Sequence, residues 1–174
     1  ACMTGVNGGL VLAVADDPSM HSSQNEQDSR FYGKFGMVPV LEPTNQQEAY
    51  DMVYDGLEFS ERLKVPVVLR ITTRLAHSRS GVSTRPQKPE NQLILPENPK
   101  QFLLLPAYAR RYYQNLLLKQ EKMGTLSEES PWNRYTEGSD RSLGIVCCGI
   151  GWNYLMENYI DNACPYPVLK ISQY

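Results

Sequence analysis

The sequence predicts an α/β protein built on a parallel sheet, and three features carry that expectation. Leu10 to Ala15 is an uninterrupted apolar run between Gly8-Gly9 and Asp16-Asp17-Pro18, the form of a parallel strand covered on both faces. Val65 to Ile71 is a second such run, opening at Pro66. Between them lies an amphipathic stretch long enough to be a crossover helix. Parallel strands need such a connection, and its hand is right-handed.

Met37 to Leu41 forms a short strand that Glu42-Pro43 stops. Thr44 and Gln47 make a T-x-x-Q capping box that opens a helix over about Asn45 to Leu63. Ala49, Met52, Val53, Gly56, Leu57 and Ser60 recur at helical spacing as its inner face, which leaves Glu48, Asp51, Asp55, Glu58 and Glu61 toward water. Arg74 to Gln101 carries four prolines and few periodic apolar positions, so it reads as an extended connector on the surface. Tyr108 to Met123 is helical, with Tyr112, Leu116 and Met123 on one stripe. Leu143 to Gly149, Trp152 to Asn162 and Pro167 to Ser172 repeat strand, helix, strand. The expected organisation is residues 1–75 as one α/β unit, 76–140 as a linker with one helix, and 141–174 as the opening of a second α/β unit.

Hydrophobic residues at 41% and charged residues at 21% describe a globular chain, and no apolar run approaches the roughly 20 residues that span a bilayer. A formal charge of -2 gives no basic excess for a nucleic-acid backbone, so neither membrane nor nucleic acid is an expected partner. Cys2, Cys147, Cys148 and Cys164 lack C-x-x-C spacing and fit free thiols in a reducing, cytoplasmic setting. They also lack the spacing of iron-sulfur ligands. With no initiator Met and no leader, the chain reads as cut at both ends.

Ligands of an open parallel sheet collect outside the carboxyl ends of its strands. The segment after Ala15, A-D-D-P-S-M-H-S-S-Q-N-E-Q-D, sits at such an end and packs acids, hydroxyls, amides and a histidine into one stretch. Asp16, Asp17, Ser19, His21, Ser22, Ser23, Gln24, Asn25 and Asp28 are expected to line a cleft there, with His21 the candidate for proton transfer. A hydrogen-bonded surface histidine is the competing reading, and Asp16 and Asp17 serve equally well as caps of the following turn. Arg74, at the end of another strand, is positioned either to meet a substrate carboxylate or simply to start the connector.

The run from Thr4 to Thr73 is similar to the large (alpha) subunit of the indolepyruvate:ferredoxin oxidoreductase family, which are thiamine diphosphate-dependent 2-oxoacid oxidoreductases. The resemblance rests on T-G-V-N-G-G-L-V-L-A-V-A-D-D-P-S-M-H-S-S-Q-N-E-Q-D-S-R-F-Y-G-K-F, then V-P-V-L-E-P, Q-E-A-Y-D-M and V-P-V-V-L-R-I-T-T-R. P-A-Y-A-R-R and L-G-I-V-C-C-G-I-G-W-N-Y-L resemble the later connector and the start of a transketolase carboxyl-terminal-like domain more loosely. The resemblance implies that 1–75 is the second half of a pyrimidine-binding domain. It implies oxidative decarboxylation of an aryl 2-oxoacid such as indolepyruvate to acyl-CoA and carbon dioxide, with ferredoxin as acceptor. Thiamine diphosphate, magnesium and iron-sulfur clusters would serve the complete enzyme. The glutamate that engages the aminopyrimidine lies upstream of the Thr4 region in such enzymes, and the Gly-Asp magnesium motif and cysteine-rich tail have no counterpart here. The chain alone is therefore expected to hold no cofactor and to be inactive. A small (beta) subunit, ferredoxin, the 2-oxoacid and coenzyme A are the implied partners, within an oligomer. Two other functions fit: a non-catalytic assembly domain, and a thiamine-dependent decarboxylase without iron-sulfur chemistry.

Gly149-Ile150-Gly151-Trp152-Asn153-Tyr154 begins like a dinucleotide fingerprint, but Tyr154 replaces its third glycine, and tight strand-to-helix packing accounts for both glycines. Arg110-Arg111 among Tyr108, Tyr112 and Tyr113 fits a helix docked on protein better than an RNA-stacking surface. His77 suggests no mechanism.

Overall fold

A computed structural model describes all 174 residues. Its centre is a parallel sheet of β1 (Val11–Asp16), β3 (Val67–Thr72) and β2 (Val40–Leu41), in the spatial order β1-β3-β2. Val11 pairs with Val67 and Asp16 with Thr72, so β1 and β3 end level with each other. Val40 pairs with Val68 on the other side.

β3 is buried along almost its whole length, and its alternating side chains enter two separate cores. Val68 joins Val38, Val40, Leu63, Val65, Leu116 and Met123, the last two from α4 (Pro106–Glu128). Val67 and Leu69 join Leu41 and Met52, the latter from α2 (Gln46–Leu63). The sheet is thus sandwiched between α2 and α4. Each fully buried aliphatic here contributes roughly 1.5–3 kcal/mol. Gly56 lets α2 approach closely, since a methyl group there would meet Val11 at 3.2 Å and Leu41 at 3.3 Å.

Several sequence expectations are corrected. The N-cap of α2 is Asn45, whose side chain accepts the Glu48 backbone N–H, while Thr44 donates its N–H and hydroxyl to the Glu48 carboxylate. The cap is therefore Asn45, one residue later than predicted, and the Glu48 carboxylate reaches back to Thr44 rather than to the N-cap N–H of a reciprocal capping box. Val53 and Leu57 are exposed and the inner face is Met52, Gly56, Ser60 and Leu63. β1 is not covered on both faces: it is an edge strand, and Leu12 keeps 55% of its surface exposed.

The acidic face of α2 does not meet water alone. After α3 (Thr73–His77), residues 78–98 run extended along it as a strap. Gln47 accepts from Ser83 N–H, Asp55 pairs with Arg85 at 2.5 Å, Glu58 pairs with Lys88, and Glu61 accepts from Asn91. The Arg85 guanidinium and the Lys88 ammonium both stand over the Tyr54 ring, at 4.0 and 4.1 Å. A 3-10 turn at Pro99–Phe102 ends the strap, and its Lys100 carbonyl accepts from Tyr112 on α4.

The second sheet has order β4-β6-β5, from β4 (Arg134–Thr136), β5 (Ile145–Cys148) and β6 (Val168–Ile171). β5 and β6 are parallel and joined through α5 (Gly151–Glu157), as the repeat of strand, helix, strand predicted. β4 pairs antiparallel with β6, a strand hidden within the expected linker. Beyond β6 the chain adds itself antiparallel to β2. Val40 and Tyr174 exchange both backbone hydrogen bonds, at 2.8 and 3.1 Å, and Glu42 N–H donates to Ser172 at 2.8 Å. One edge of the first sheet is closed in this way, while the β1 edge stays open.

Candidate functional site

Acids stand at the end of β1 and just after β2, and Arg70, from within β3, ties them together. Its guanidinium lies 2.5 Å from Asp16 at the end of β1 and 2.5 Å from Glu42 after β2. All three side chains are at most 5% exposed. Asp16 also accepts the Ser29 N–H and hydroxyl, at 2.7 and 3.0 Å, and Glu42 accepts the Tyr174 hydroxyl at 2.8 Å. Burial, with the Glu42 carboxylate beside it, pushes the Tyr174 phenol well above its usual range, so it remains a donor. Every buried charge here is paired, as a low-dielectric interior requires.

The polar segment after β1 is organised by Asp17. Its carboxylate accepts the backbone N–H groups of His21, Ser22 and Ser23 and the Thr73 hydroxyl, the last at 2.6 Å. The Thr73 hydroxyl, with Ser22 and Ser23, holds this carboxyl far below the usual carboxylate range. The turn so formed carries Ser19 and Met20 at φ of 67° and 53°, left-handed conformations that cost non-glycine residues about 1–2 kcal/mol each. The hydrogen bonds to Asp17 offset that strain. Asp28 is engaged bidentately by Arg30, at 2.6 and 2.7 Å. Gln24 and Asn25 are exposed and do not line the cavity described next.

Ser19, His21 and Arg74 do come together. With Pro18, Thr72 and Thr73 they line a cavity of about 390 Å³ at the level carboxyl ends of β1 and β3. Its remaining wall is Ile150 and Tyr154, from the β5–α5 connection. The Arg74 guanidinium stands 5.6 Å from the Tyr154 ring centroid. His21 Nδ1 lies 2.9 Å from the Pro18 carbonyl oxygen. A carbonyl only accepts, so Nδ1 carries a proton and Nε2 is the ring atom left for other partners.

Other hollows, of about 560, 790 and 880 Å³, are larger. They lie beside α1 (Arg30–Gly36) and α4, beside α2, and under the strap. None is formed by the loops following β1 and β3, where an open parallel sheet gathers its ligands.

The sequence reading missed Arg70, Glu42, Thr72, Ile150 and Tyr154. A lone arginine inside the apolar run V-P-V-V-L-R-I was the available signal for the first two, and Lys170 in V-L-K-I, paired with Glu48, is the same kind of signal. Gly149, at φ +49°, packs so that a methyl group would lie 2.4 Å from the Glu42 carboxylate, a contact with the end of β2 in place of the strand-to-helix packing expected. Gly151 has open space around it, so packing does not account for that glycine.

No group of three or more His, Cys, Asp or Glu side chains converges in a metal-binding arrangement. The buried carboxylates at the strand ends are already engaged by Arg70, Ser29 and Tyr174. The residues of this chain thus do not form a cage for magnesium or an iron-sulfur cluster, nor present a free buried acid to a cofactor ring.

The chain is 40% identical over 171 residues to indolepyruvate oxidoreductase subunit IorA of Methanothermobacter marburgensis, covering 97% of this chain and 28% of that protein. It is 43% identical to IorA of Archaeoglobus fulgidus, again over 97% of the chain and 27% of the relative. The chain is similar to a segment of the IorA subunit. The IorA of Thermococcus kodakarensis adds 41% identity over 88% of the chain and 25% of its own length. The chain spans little more than a quarter of these IorA relatives, and the matched segment includes the strand ends, the Asp17 turn and the cavity. No protein-family model matches it. No helix is long and apolar enough to cross a membrane.

Proposed function

We propose that this chain forms the substrate-facing wall of an indolepyruvate-type 2-oxoacid oxidoreductase, with His21 handling a proton of the reaction. The observation that carries the reading is the cavity at the ends of β1 and β3, bordered by His21 and Arg74, in a chain similar to IorA over 97% of its length. With Nδ1 held by the Pro18 carbonyl, Nε2 is the ring atom available for proton transfer. The Asp17 turn fixes the backbone of His21 and so holds the ring at the cavity. Asp16 and Asp28 support the turn through Arg70, Ser29 and Arg30.

In this reading residues 1–75 belong to a pyrimidine-binding domain, 76–140 to a linker and 141–174 to a transketolase carboxyl-terminal-like domain. Thiamine diphosphate, magnesium and iron-sulfur clusters are held by the remainder of the complete subunit. Carbon dioxide and acyl-CoA are the products and ferredoxin is the electron acceptor, with a small subunit as partner. The chain alone is inactive, and its setting is cytoplasmic. Replacing His21 with Ala in the complete enzyme is expected to lower kcat/KM for indolepyruvate by about 10²-fold or more. An unchanged value removes His21 from the mechanism.

A second reading, a non-catalytic assembly domain, draws support from α1, where Phe31, Tyr32 and Phe35 are all largely exposed. It predicts that substitutions around the cavity leave turnover untouched while Phe35→Ser weakens association of the subunits.

A further inference from the structure

Most buried polar atoms of this molecule are satisfied, and Thr72 Oγ1 is one of only two buried side-chain oxygens or nitrogens without a hydrogen-bond partner. Thr72 is 8% exposed, closes β3, and lines the same cavity as Arg74. A buried hydroxyl left unpaired costs free energy comparable to a lost hydrogen bond, so a water or a ligand entering the cavity is its natural partner. One cation, Arg74, borders the cavity without a carboxylate partner, its guanidinium instead standing over Tyr154. Asp17, the nearby acid, is committed to its turn and to Thr73.

We propose that Thr72 and Arg74 form a carboxylate receptor, in which the Thr72 hydroxyl donates to one oxygen of a bound monoanion and the Arg74 guanidinium engages the carboxylate from the cavity rim. The proposal rests on the 2-oxoacid reading and names the residues that would hold the acid end of the substrate. A guanidinium fork matches the two oxygens of a carboxylate. A single cation and a single hydroxyl suit one negative charge rather than a phosphate dianion. The rest of the wall includes the apolar Pro18 and Ile150 and the ring of Tyr154, which can face the organic body of the ligand. A volume of about 390 Å³ lies at the small end of ligand pockets, which run from about 300 to 1,000 Å³.

Tyr154 is a positioning residue in this arrangement. It reaches the cavity from the second sheet's first crossover, where Asn153 donates to the Thr44 carbonyl at 2.7 Å and locks that connection over the first sheet. Its ring holds the guanidinium in place by a cation-π contact. The receptor is therefore complete only when both sheets are docked.

The test uses the complete enzyme in its assembled form, with calorimetric titration of indole-3-acetate, a carboxylate lacking the keto group, alongside steady-state turnover of indolepyruvate. Arg74→Gln is expected to weaken indole-3-acetate binding and raise KM by about tenfold each, with kcat changed less than threefold. Thr72→Val is expected to raise both by about three- to tenfold, and Thr72→Ser to restore them. Tyr154→Leu should reproduce part of the Arg74 effect and Tyr154→Phe should not. Unchanged indole-3-acetate affinity in both Arg74→Gln and Thr72→Val overturns the receptor even if turnover continues, and the 2-oxoacid reading then survives it. An enzyme that turns over no 2-oxoacid overturns that reading, while the titrations still decide whether the cavity binds carboxylates. Inorganic phosphate binding in place of indole-3-acetate overturns the assignment to a carboxylate.

Discussion

Replacing Arg70 with Met is the sharpest perturbation of this fold. The substitution preserves much of the side-chain volume and removes the only cation within 2.5 Å of both Asp16 and Glu42. Breaking a buried ion pair by deleting one partner costs about 3–5 kcal/mol, because the other charge is left unpaired. Here one deletion orphans two carboxylates, although Ser29 and Tyr174 retain their hydrogen bonds to them. The expected loss is therefore about 4–5 kcal/mol, a large share of the roughly 5–15 kcal/mol by which domains are stable. At about 2–4 °C per kcal/mol for a chain of this size, Tm falls by on the order of 10 °C. Urea denaturation followed by circular dichroism measures the difference directly. Combining Arg70→Met with Asp16→Asn and Glu42→Gln should recover at least half of the loss. A deficit below about 1 kcal/mol, the level of an exposed pair, would refute the claim that Arg70 ties the strand ends together.

Asp17 should keep its turn intact well below the ordinary carboxylate range. Its pKa is depressed in the folded chain, so its contribution is present above the unfolded value and is lost only as pH falls toward the folded one. The amide resonances of Ser22 and Ser23 report this, and a shift with a midpoint near pH 4 contradicts it. Gly149→Ala is expected to cost about 2–3 kcal/mol through its positive φ and its contact with Glu42, whereas Gly151→Ala should stay within about 0.5 kcal/mol. Equal melting temperatures for the two variants would sink the packing account. Salt should loosen the strap, since its pairs to Asp55 and Glu58 are part-exposed, so cleavage after Glu90 by a glutamate-specific protease should accelerate in about 1 M NaCl. Unchanged cleavage would assign the strap's hold to uncharged bonds such as those of the Ser83 N–H to Gln47 and the Arg85 N–H to the Tyr50 hydroxyl. The open β1 edge predicts self-association that Leu12→Lys relieves, and light scattering showing a clean monomer before substitution contradicts it.

α2 and β3 were legible in the sequence because their patterns are local: the helix repeats at three and four residues, and β3 is an apolar run interrupted by a single arginine. The strap shows the limit. An acidic helix face looks the same in sequence whether water or an extended segment bearing Arg85 and Lys88 covers it. β1 was read as buried on both faces because apolar composition does not reveal which neighbours are present. Of the cleft, the turn after Ala15 and the place of Arg74 were visible from strand-end logic. Thr72 and Tyr154 were not, since one became notable through its missing partner and the other arrives from a different sheet. Arg70 was in view all along as a charge inside an apolar strand, a pattern that predicts a buried counter-ion.

The pairing of Tyr174 with Val40 sets an order of events during synthesis. The Glu42 carboxylate receives the Tyr174 hydroxyl across a separation of 132 residues, so the centre around Arg70 cannot be sealed while the nascent chain is still short. At roughly 5–20 residues per second, translation leaves β2 without its last neighbour for on the order of ten seconds. During that interval a bare strand edge and a partly hydrated charge cluster coexist on the ribosome. A folding helper that shields strand edges would have its greatest effect on this chain in that window.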